Sequence, residues 1–495
     1  MLLLAWMLPA QSKREMRGAW IASVSNIDWP SADAVGNAAL QQQEMRDMLD
    51  SLKNVGINMV VFQVRPTADA LYRSQLEPWS SWLTGKQGQD NDVSYDPLEF
   101  VLEEAHKRCM DVHVWINPYR VSLSFSSKDL ADSHVFNQHR DWFFYYGKQW
   151  YFDPGLDETR LFLCRVVADI VRRYDIDAIH MDDYFYPYPI AKKEIPDQET
   201  FKNHPRGFSN IADWRRNNVN LAIRELHDTI RQIKPWVEFG ISPFGIWRNQ
   251  QNDPRGSLTG GLQNYDELYA DIRLWLEKGW IDYEVPQLYW EIGKRVADYR
   301  VLVNWWAGNS FDKNYYVGHS LLGLQNPKAA LPWRMPNEVC RQLRMNKAIE
   351  QVKGSVYFSA AGLLRNPQGI CDSLKNNFYR YPALQPICLR HSAEVAVAPT
   401  EAKVLRKAGD HFYTLSWQPV NATGGQQVAY YVVYAFPEFG KINFDDPEYI
   451  IAITKQTSLQ LSIDPREYNI CITAVNRYKQ ESLPCIATLI DNVSD

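Results

Sequence analysis

From residue 18 to about residue 379, short apolar runs bounded by turn residues alternate with stretches whose apolar side chains recur at i, i+3, i+4 and i+7. That alternation predicts parallel βα units. The first run, 18–24, precedes a helix with Met45, Met48, Leu49 and Leu52 on one face, closed by Gly56. The second run is 58–65. Residues 66–96, with Trp79, Trp82, Gly85 and Gly88, read as an elaborated loop, and a helix starts after Asp96-Pro97 because proline suits a first turn. A third run, 112–117, ends at Pro118-Tyr119-Arg120. Leu163, Val166, Val167 and Ile170 mark the helix leading into the fourth run, Asp177-Ala178-Ile179-His180-Met181. A polar loop reaching about Ser209 and a helix over 211–233 precede the fifth run, 237–243. The helix around Leu268, Ile272, Trp275 and Leu276 leads to the sixth, 283–289, and 315–320 and 355–360 supply the last two. Eight units predict a (β/α)8 TIM barrel. A doubly wound open sheet would carry a G-x-G-x-x-G turn after an early strand, and none is present.

The pattern changes after residue 380. Pro382, Pro386 and Pro399 punctuate a stretch without periodicity, and beyond it Tyr413, Leu415 and Trp417 alternate with polar residues. Residues 428–434 are strongly β-prone, and Tyr468, Ile470, Ile472 and Ala474 share one strand face. This module resembles a fibronectin type III domain, with Tyr468 where such sandwiches keep a corner tyrosine. The expected division is therefore a signal-peptide remnant at 1–13, a barrel at 14–383, a linker at 384–396 and a small all-β immunoglobulin-like sandwich at 397–495. The apolar N-terminal segment is too short to span a bilayer and lacks a basic flank; it resembles the tail of a signal peptide. Export to the periplasm, outer surface or medium is expected, with the cytoplasm as alternative, and no later segment is apolar enough for a transmembrane helix.

Lys plus Arg total 53 against 58 Asp plus Glu, a net charge of -5. Nothing there favours a nucleic-acid backbone as partner. The 18 Trp and 27 Tyr fall in large part in proline-bearing loops and suggest flat apolar ligand faces. Cys109, Cys164, Cys340, Cys371, Cys388, Cys471 and Cys485 are scattered, without C-x-x-C spacing, and no H-x-H or H-E-x-x-H pairing occurs. Neither a disulfide framework, a metal nor any cofactor is expected. Oligomeric state is left open.

In a barrel of this kind chemistry gathers at the C-terminal strand ends. Those ends carry Asp28 and Trp29, Gln63 and Arg65, Asn117, Tyr119 and Arg120, then His180, Asp182 and Asp183. Later strands add Ser242, Phe244, Trp247 and Arg248, then Gln287, Tyr289, Trp290 and Glu291, then His319. His180 and Asp182 are two apart, hence on one strand face about 6.6 Å apart along it. Buried there, each carboxylate needs a partner, and Arg65 and Arg120 are candidates. Glycoside hydrolysis generally needs two carboxyl groups flanking the scissile bond. Asp182 or Asp183 can be one; Glu291, Asp28 and Asp266 are candidates for the other, with Asp266 read rather as a helix-start charge.

Several motifs in order resemble the glycosyl hydrolase-like 10 family, over roughly residues 14–380. They are Arg17-Gly18-Ala19-Trp20 with Asp28-Trp29-Pro30, Phe62-Gln63-Val64-Arg65-Pro66 with Asp69-Ala70-Leu71-Tyr72-Arg73-Ser74, and Trp115-Ile116-Asn117-Pro118-Tyr119-Arg120. Asp153-Pro154-Gly155, His180-Met181-Asp182-Asp183-Tyr184-Phe185-Tyr186-Pro187, Gly240-Ile241-Ser242-Pro243-Phe244-Gly245-Ile246-Trp247-Arg248 and Pro286-Gln287-Leu288-Tyr289-Trp290 complete the set. The resemblance implies a (β/α)8 fold and action on carbohydrate, often in exported bacterial proteins carrying accessory modules. Strand seven ends in His319-Ser320, without the glutamate nucleophile of many retaining barrel glycosidases, which moves that role toward strand four.

The resulting expectation is an exported bacterial glycoside hydrolase acting on a polysaccharide or glycan. Asp182 serves as nucleophile or base, Glu291 as acid, and Asp183 with His180 orients the sugar or tunes Asp182. Trp29, Tyr184, Tyr186, Trp247 and Trp290 stack on sugar faces, and Arg65, Asn117 and Arg120 bind hydroxyls or an acidic group. Asp28, Gln63, Tyr119, Arg248, Gln287, Tyr289 and His319 complete the binding surface. The alternatives are a non-catalytic glycan-binding barrel, or a metal-dependent glycan deacetylase built on a His/Asp cluster.

Overall fold

Eight parallel strands close into a barrel in which each strand lies beside its sequence neighbour and the last pairs with the first. They are β1 (Met16–Ile21), β2 (Met59–Arg65), β3 (Asp111–Ile116), β4 (Ala178–Met181), β5 (Glu238–Ile241), β6 (Tyr283–Glu284), β7 (Asn314–Ser320) and β8 (Val352–Phe358). The computed structural model describes residues 11–89, 94–123, 129–335, 337–391, 393, 395–407 and 412–493. The expected TIM barrel is thus present, strand for strand. Segment 1–10, most of the stretch read as a signal remnant, lies outside the described residues, whereas Gln11 already bonds the Tyr381 carbonyl at 2.6 Å.

Local signals position the elements. The helix Ala38–Val55 is capped by Asn37, whose side chain accepts from Leu40 N, and ends at Gly56 with φ 99°, where a left-handed residue costs glycine little. Asp96 caps Pro97–Lys107. Ile211–Ile233 has the expected bounds. Strand six is shorter than its apolar run implies. Pro286 has no N–H to continue the ladder, so beyond Glu284 the segment is held by a Val285 N to Ile241 O bond, by isolated bridges from Gln287 to Phe244 and Gly318, and by a Leu288 N to Gly318 O bond. The polar loop after β4 contains a short helix, Gln198–Asn203.

Two cores follow from the period-2 alternation of the strands. Outward residues such as Val60, Phe62, Val114 and Ile179 pack under the helices. Inward ones, including Trp20, Val61, Trp115, Tyr283, Val285, Tyr316 and Val356, fill the barrel. Tyr283 crosses the interior over Gly240, where an added Cβ would lie 1.9 Å from the ring. Its hydroxyl lies 2.6 Å from His113 Nδ1 and 3.0 Å from His180 Nδ1. That stack is the floor on which the candidate site rests.

The C-terminal region forms two four-stranded sheets. β9 (Thr400–Lys407), β10 (Tyr413–Gln418), β13 (Ser458–Leu461) and β16 (Thr488–Val493) make one; β11 (Val428–Pro437), β12 (Ile450–Thr454), β14 (Tyr468–Asn476) and β15 (Cys485–Ile486) make the other. Leu415 and Trp417 from the first sheet share one core with Tyr431, Val433 and Ile472 from the second. This module sits at the N-terminal end of the barrel, where its Lys479 Nζ lies 2.7 Å from Asp111 of β3 and 3.6 Å from Asp177. Tyr430 donates to Gln385, which in turn donates to the Asn58 carbonyl. No helix among the described residues is long and apolar enough to cross a membrane.

Candidate active site

At the opposite, C-terminal end a cavity of about 220 Å³ opens over the Tyr283 stack. Trp20, Trp115, Tyr184, Tyr289 and Phe358 supply its rings, and Gln63, Arg120, Asp182, Asp183, Ser242 and Gln287 its polar groups. Among the described residues no other carboxylate lines it.

Asp182 continues the inward face of β4 beyond His180. Its Oδ2 accepts 2.7 Å from Asn117 Nδ2, and among the described residues Oδ1 has only a long 3.5 Å contact from Tyr184 N. Burial, reinforced by the neighbouring charge of Asp183, pushes its pKa up to about 7, against the opposing pull of Arg120 and Asn117. Asp183 is also raised by burial, but the Tyr188 hydroxyl donates to its Oδ2 and Gln287 and Arg120 favour its charged form. Two adjacent buried carboxyls in one cavity resist double ionisation, so one proton is retained into the neutral range.

Asn117 is fixed by what it accepts. Gln63 Nε2 donates to its Oδ1 at 2.7 Å and Arg120 Nη2 at 3.0 Å, which turns the amide nitrogen toward Asp182. Gln63 Oε1 in turn accepts from Val24 N at 2.9 Å and Ser23 N at 3.1 Å. Arg120 lies over the Tyr184 ring, 5.1 Å from its centroid, and its Nε donates to the Pro66 carbonyl. Strand ends two, three and four are therefore one hydrogen-bonded unit.

His180 lies beneath the cavity, with Nε2 3.0 Å from Ser242 Oγ. Burial, aided by His113, holds its pKa well below the usual imidazole value, so it is neutral. It supports the floor and does not reach the cavity wall.

Other expected site residues stand elsewhere. Glu291 accepts from Trp333 Nε1 at 2.9 Å and lies 3.4 Å from Lys294; it is absent from the cavity wall. Asp28 accepts from Ala22 N, Ser359 Oγ and Ala361 N, which ties the end of β1 to the segment after β8. Asp266 sits in the first turn of Asn264–Glu267 and pairs with Arg248 at 2.7 Å. Arg65 is turned to Glu77, with Nη2 2.5 Å from its Oε1, so it is not the partner of Asp182. A ladder irregularity between Gln63 and Arg65 breaks the alternation that would have placed both on one face.

Trp29, Tyr119, Tyr186 and Trp247 are core residues rather than exposed platforms, each 2% exposed or less. Trp29 Nε1 donates to the Gln41 carbonyl, Tyr186 accepts from Asn218, and Trp247 donates to Asp271. His319 faces outward between the Tyr299 and Tyr357 rings, near Gln342 and Ser355. Trp290 meets Phe244 edge-on and does not line the cavity. Conversely, Tyr188, Trp20, Trp115 and Phe358 belong to the site without having been assigned to it. Tyr188 continues the Tyr184, Tyr186 alternation, and the inward parity of Trp20 and Trp115 on their strands was the available signal.

Among the described residues no group of three or more His, Cys, Asp or Glu is set to hold a metal ion. The deacetylase alternative, which needs one, gains no support from them.

The model of the family described as glycosyl hydrolase-like 10 matches residues 15–338. "Glycosyl hydrolase YngK" of Bacillus subtilis (strain 168) is 41% identical over 488 residues, 96% of this chain and 94% of that protein. "Glycosyl hydrolase DigH" of Escherichia coli (strain K12) is 41% identical over 369 residues, 70% of this chain and 83% of that protein. Among solved structures, the PgaB (BpsB) glycoside hydrolase domain from Bordetella bronchiseptica aligns with 73% of this chain and 98% of its own, at 9% identity and a TM-score of 0.46.

Proposed function

The chain belongs to the glycosyl hydrolase-like 10 family, and on that premise we propose that it hydrolyses O-glycosyl bonds in a glycan, with Asp182 as proton donor. One observation carries this: a buried carboxyl with a pKa raised to about 7 in the cavity at the C-terminal end of the barrel. Asn117 engages Oδ2, which leaves Oδ1 to carry the proton into the cavity. Asp182 passes that proton to the glycosidic oxygen as its bond to the anomeric carbon breaks. The charged form of Asp183, which burial disfavours and the Tyr188 and Gln287 hydrogen bonds favour, faces the positive charge that develops on the sugar.

The acid role thus moves from Glu291 to Asp182. With no third carboxylate lining the cavity among the described residues, the attacking group is one the substrate or solvent supplies. Adjacent carboxyls suit a sugar bearing a 2-acetamido group, whose carbonyl oxygen attacks the anomeric carbon while Asp183 orients its N–H and Asp182 protonates the leaving oxygen. Tyr184, 37% exposed and backed by Arg120, offers a ring face to the sugar, with Trp20, Trp115 and Tyr289 closing the other sides.

The division at 14–383, 384–396 and 397–495, an exported bacterial location and a fibronectin type III-like sandwich complete the proposal. The sheet pairing and shared core of the C-terminal strands support the last of these. Aryl glycosides with and without a 2-acetamido group, offered to wild type and Asp182→Asn, test the function. Turnover by wild type and its loss in the variant support it. A wild type that binds glycans but turns none over selects the non-catalytic binding alternative.

A further inference from the structure

Beside the barrel, between the loop that follows β2 and the helix Asp157–Arg173, lies a second cavity of about 520 Å³, more than twice the volume of the one over Asp182. Its wall carries one half-buried ring, Trp79, backed by the buried Trp142 and Phe162, with the Arg165 guanidinium 5.4 Å from the Phe162 centroid. His139 stacks flat on Trp142 with centroids 4.0 Å apart, extending that wall toward solvent. Gln75, Ser133, Gln138 and the cationic Arg165 form its exposed rim.

The carboxylate in this groove, Glu77, is neutralised by Arg65, whose Nη1 also donates to the Asn117 carbonyl at 2.5 Å. The groove therefore presents the Trp79 and His139 rings with amide, hydroxyl and guanidinium groups around them and little uncompensated negative charge. Those are the complements of a sugar, which offers C–H faces to rings and hydroxyls to amides. The cavity over Asp182 has room for little more than one sugar unit, whereas a polymer gains affinity from each further point of attachment.

We propose that this groove is a second carbohydrate-binding site that holds a glycan chain away from the bond being cleaved. The inference rests on the reading of the protein as acting on glycans. The shared Arg65/Glu77 pair gives the groove a fixed position relative to Asn117 and hence to Asp182.

The test uses the full chain carrying Asp182→Asn, titrated calorimetrically with hexameric β-1,4-linked N-acetylglucosamine and hexameric β-1,4-linked glucose. Trp79→Ala and, separately, Ser133→Trp are then added. Trp79→Ala removes a ring, and Ser133→Trp fills the groove from its exposed rim without disturbing the core. The expected result is that the tighter-binding hexamer loses about tenfold in affinity in both variants, while turnover of a small aryl glycoside by the same variants with Asp182 restored is unchanged. Unchanged affinity in Ser133→Trp, or no binding of either hexamer by the Asp182→Asn protein, overturns the proposal. Groove-dependent binding without any turnover by wild type would leave the groove standing and remove the hydrolase reading, so the two failures are distinct.

Discussion

Asn117 Nδ2 lies 2.7 Å from Asp182 Oδ2, and the same amide accepts from both Gln63 and Arg120. Asn117 therefore fixes which Asp182 oxygen is left to hold a proton, and it favours the charged form of that carboxyl. Replacing Asn117 by Ala removes a donor to the carboxylate, so the Asp182 pKa rises further. The rate should fall about tenfold to a hundredfold through lost orientation, and its alkaline limb should move to higher pH. A pH profile of kcat/KM with an unmoved limb would refute this.

A general acid works only while protonated, so wild-type activity should fall as pH rises through about 7, the value to which burial and Asp183 lift Asp182. Asp182→Asn should lose about 10²-fold to 10⁴-fold in kcat across the whole range.

Asp183→Asn is expected to act in the opposite sense to Asn117→Ala on the titration. The Asp183 charge raises the Asp182 pKa, so neutralising it should move the alkaline limb to lower pH, with a lower maximum rate. An unshifted limb in the residual activity would break the proposed coupling of the two groups.

Glu291→Gln should keep kcat within about threefold of wild type, less than 1 kcal/mol in barrier height. Glu291 accepts from Trp333 Nε1, and the cavity wall does not include it. A loss as deep as that of Asp182→Asn would return the acid role to Glu291.

Lys479→Met tests the junction of the two regions. Lys479 is 3% exposed, and although burial opposes its charge, Asp111 and Asp177 outweigh that and raise its pKa. Its stabilising contribution is therefore fully present below the unfolded lysine pKa and is lost as pH climbs through the higher folded value. Removing the cation leaves two buried carboxylates without it, a cost of about 3–5 kcal/mol. Thermal unfolding should show a lower Tm, partly restored by adding Asp111→Asn; an unchanged Tm would mean the contact contributes nothing.

Much of the site is legible along the chain wherever a strand keeps strict alternation. Asp182 follows His180 by two, and Asn117 and Gln63 sit at strand ends, and all three meet in one hydrogen-bonded unit. Legibility fails where alternation does. Arg65 follows an irregular step in the ladder and turns to Glu77, while Trp29 and Tyr186 lie in loops where no period tells a platform from a core side chain. Glu291 follows strand six, whose ladder is already lost at Pro286.

The eight βα units, the change of pattern after residue 380 and the inward acidic end of strand four can all be read along the chain, because they depend on spacing within a few residues. The folding of the barrel makes Asp183 the one other carboxylate, among the described residues, in the cavity with Asp182. Folding likewise brings Lys479 to Asp111 across 368 positions of chain. Those facts depend on how the barrel closes and on which loop folds over which strand end, and a closed ring of strands brings together residues that no local periodicity relates.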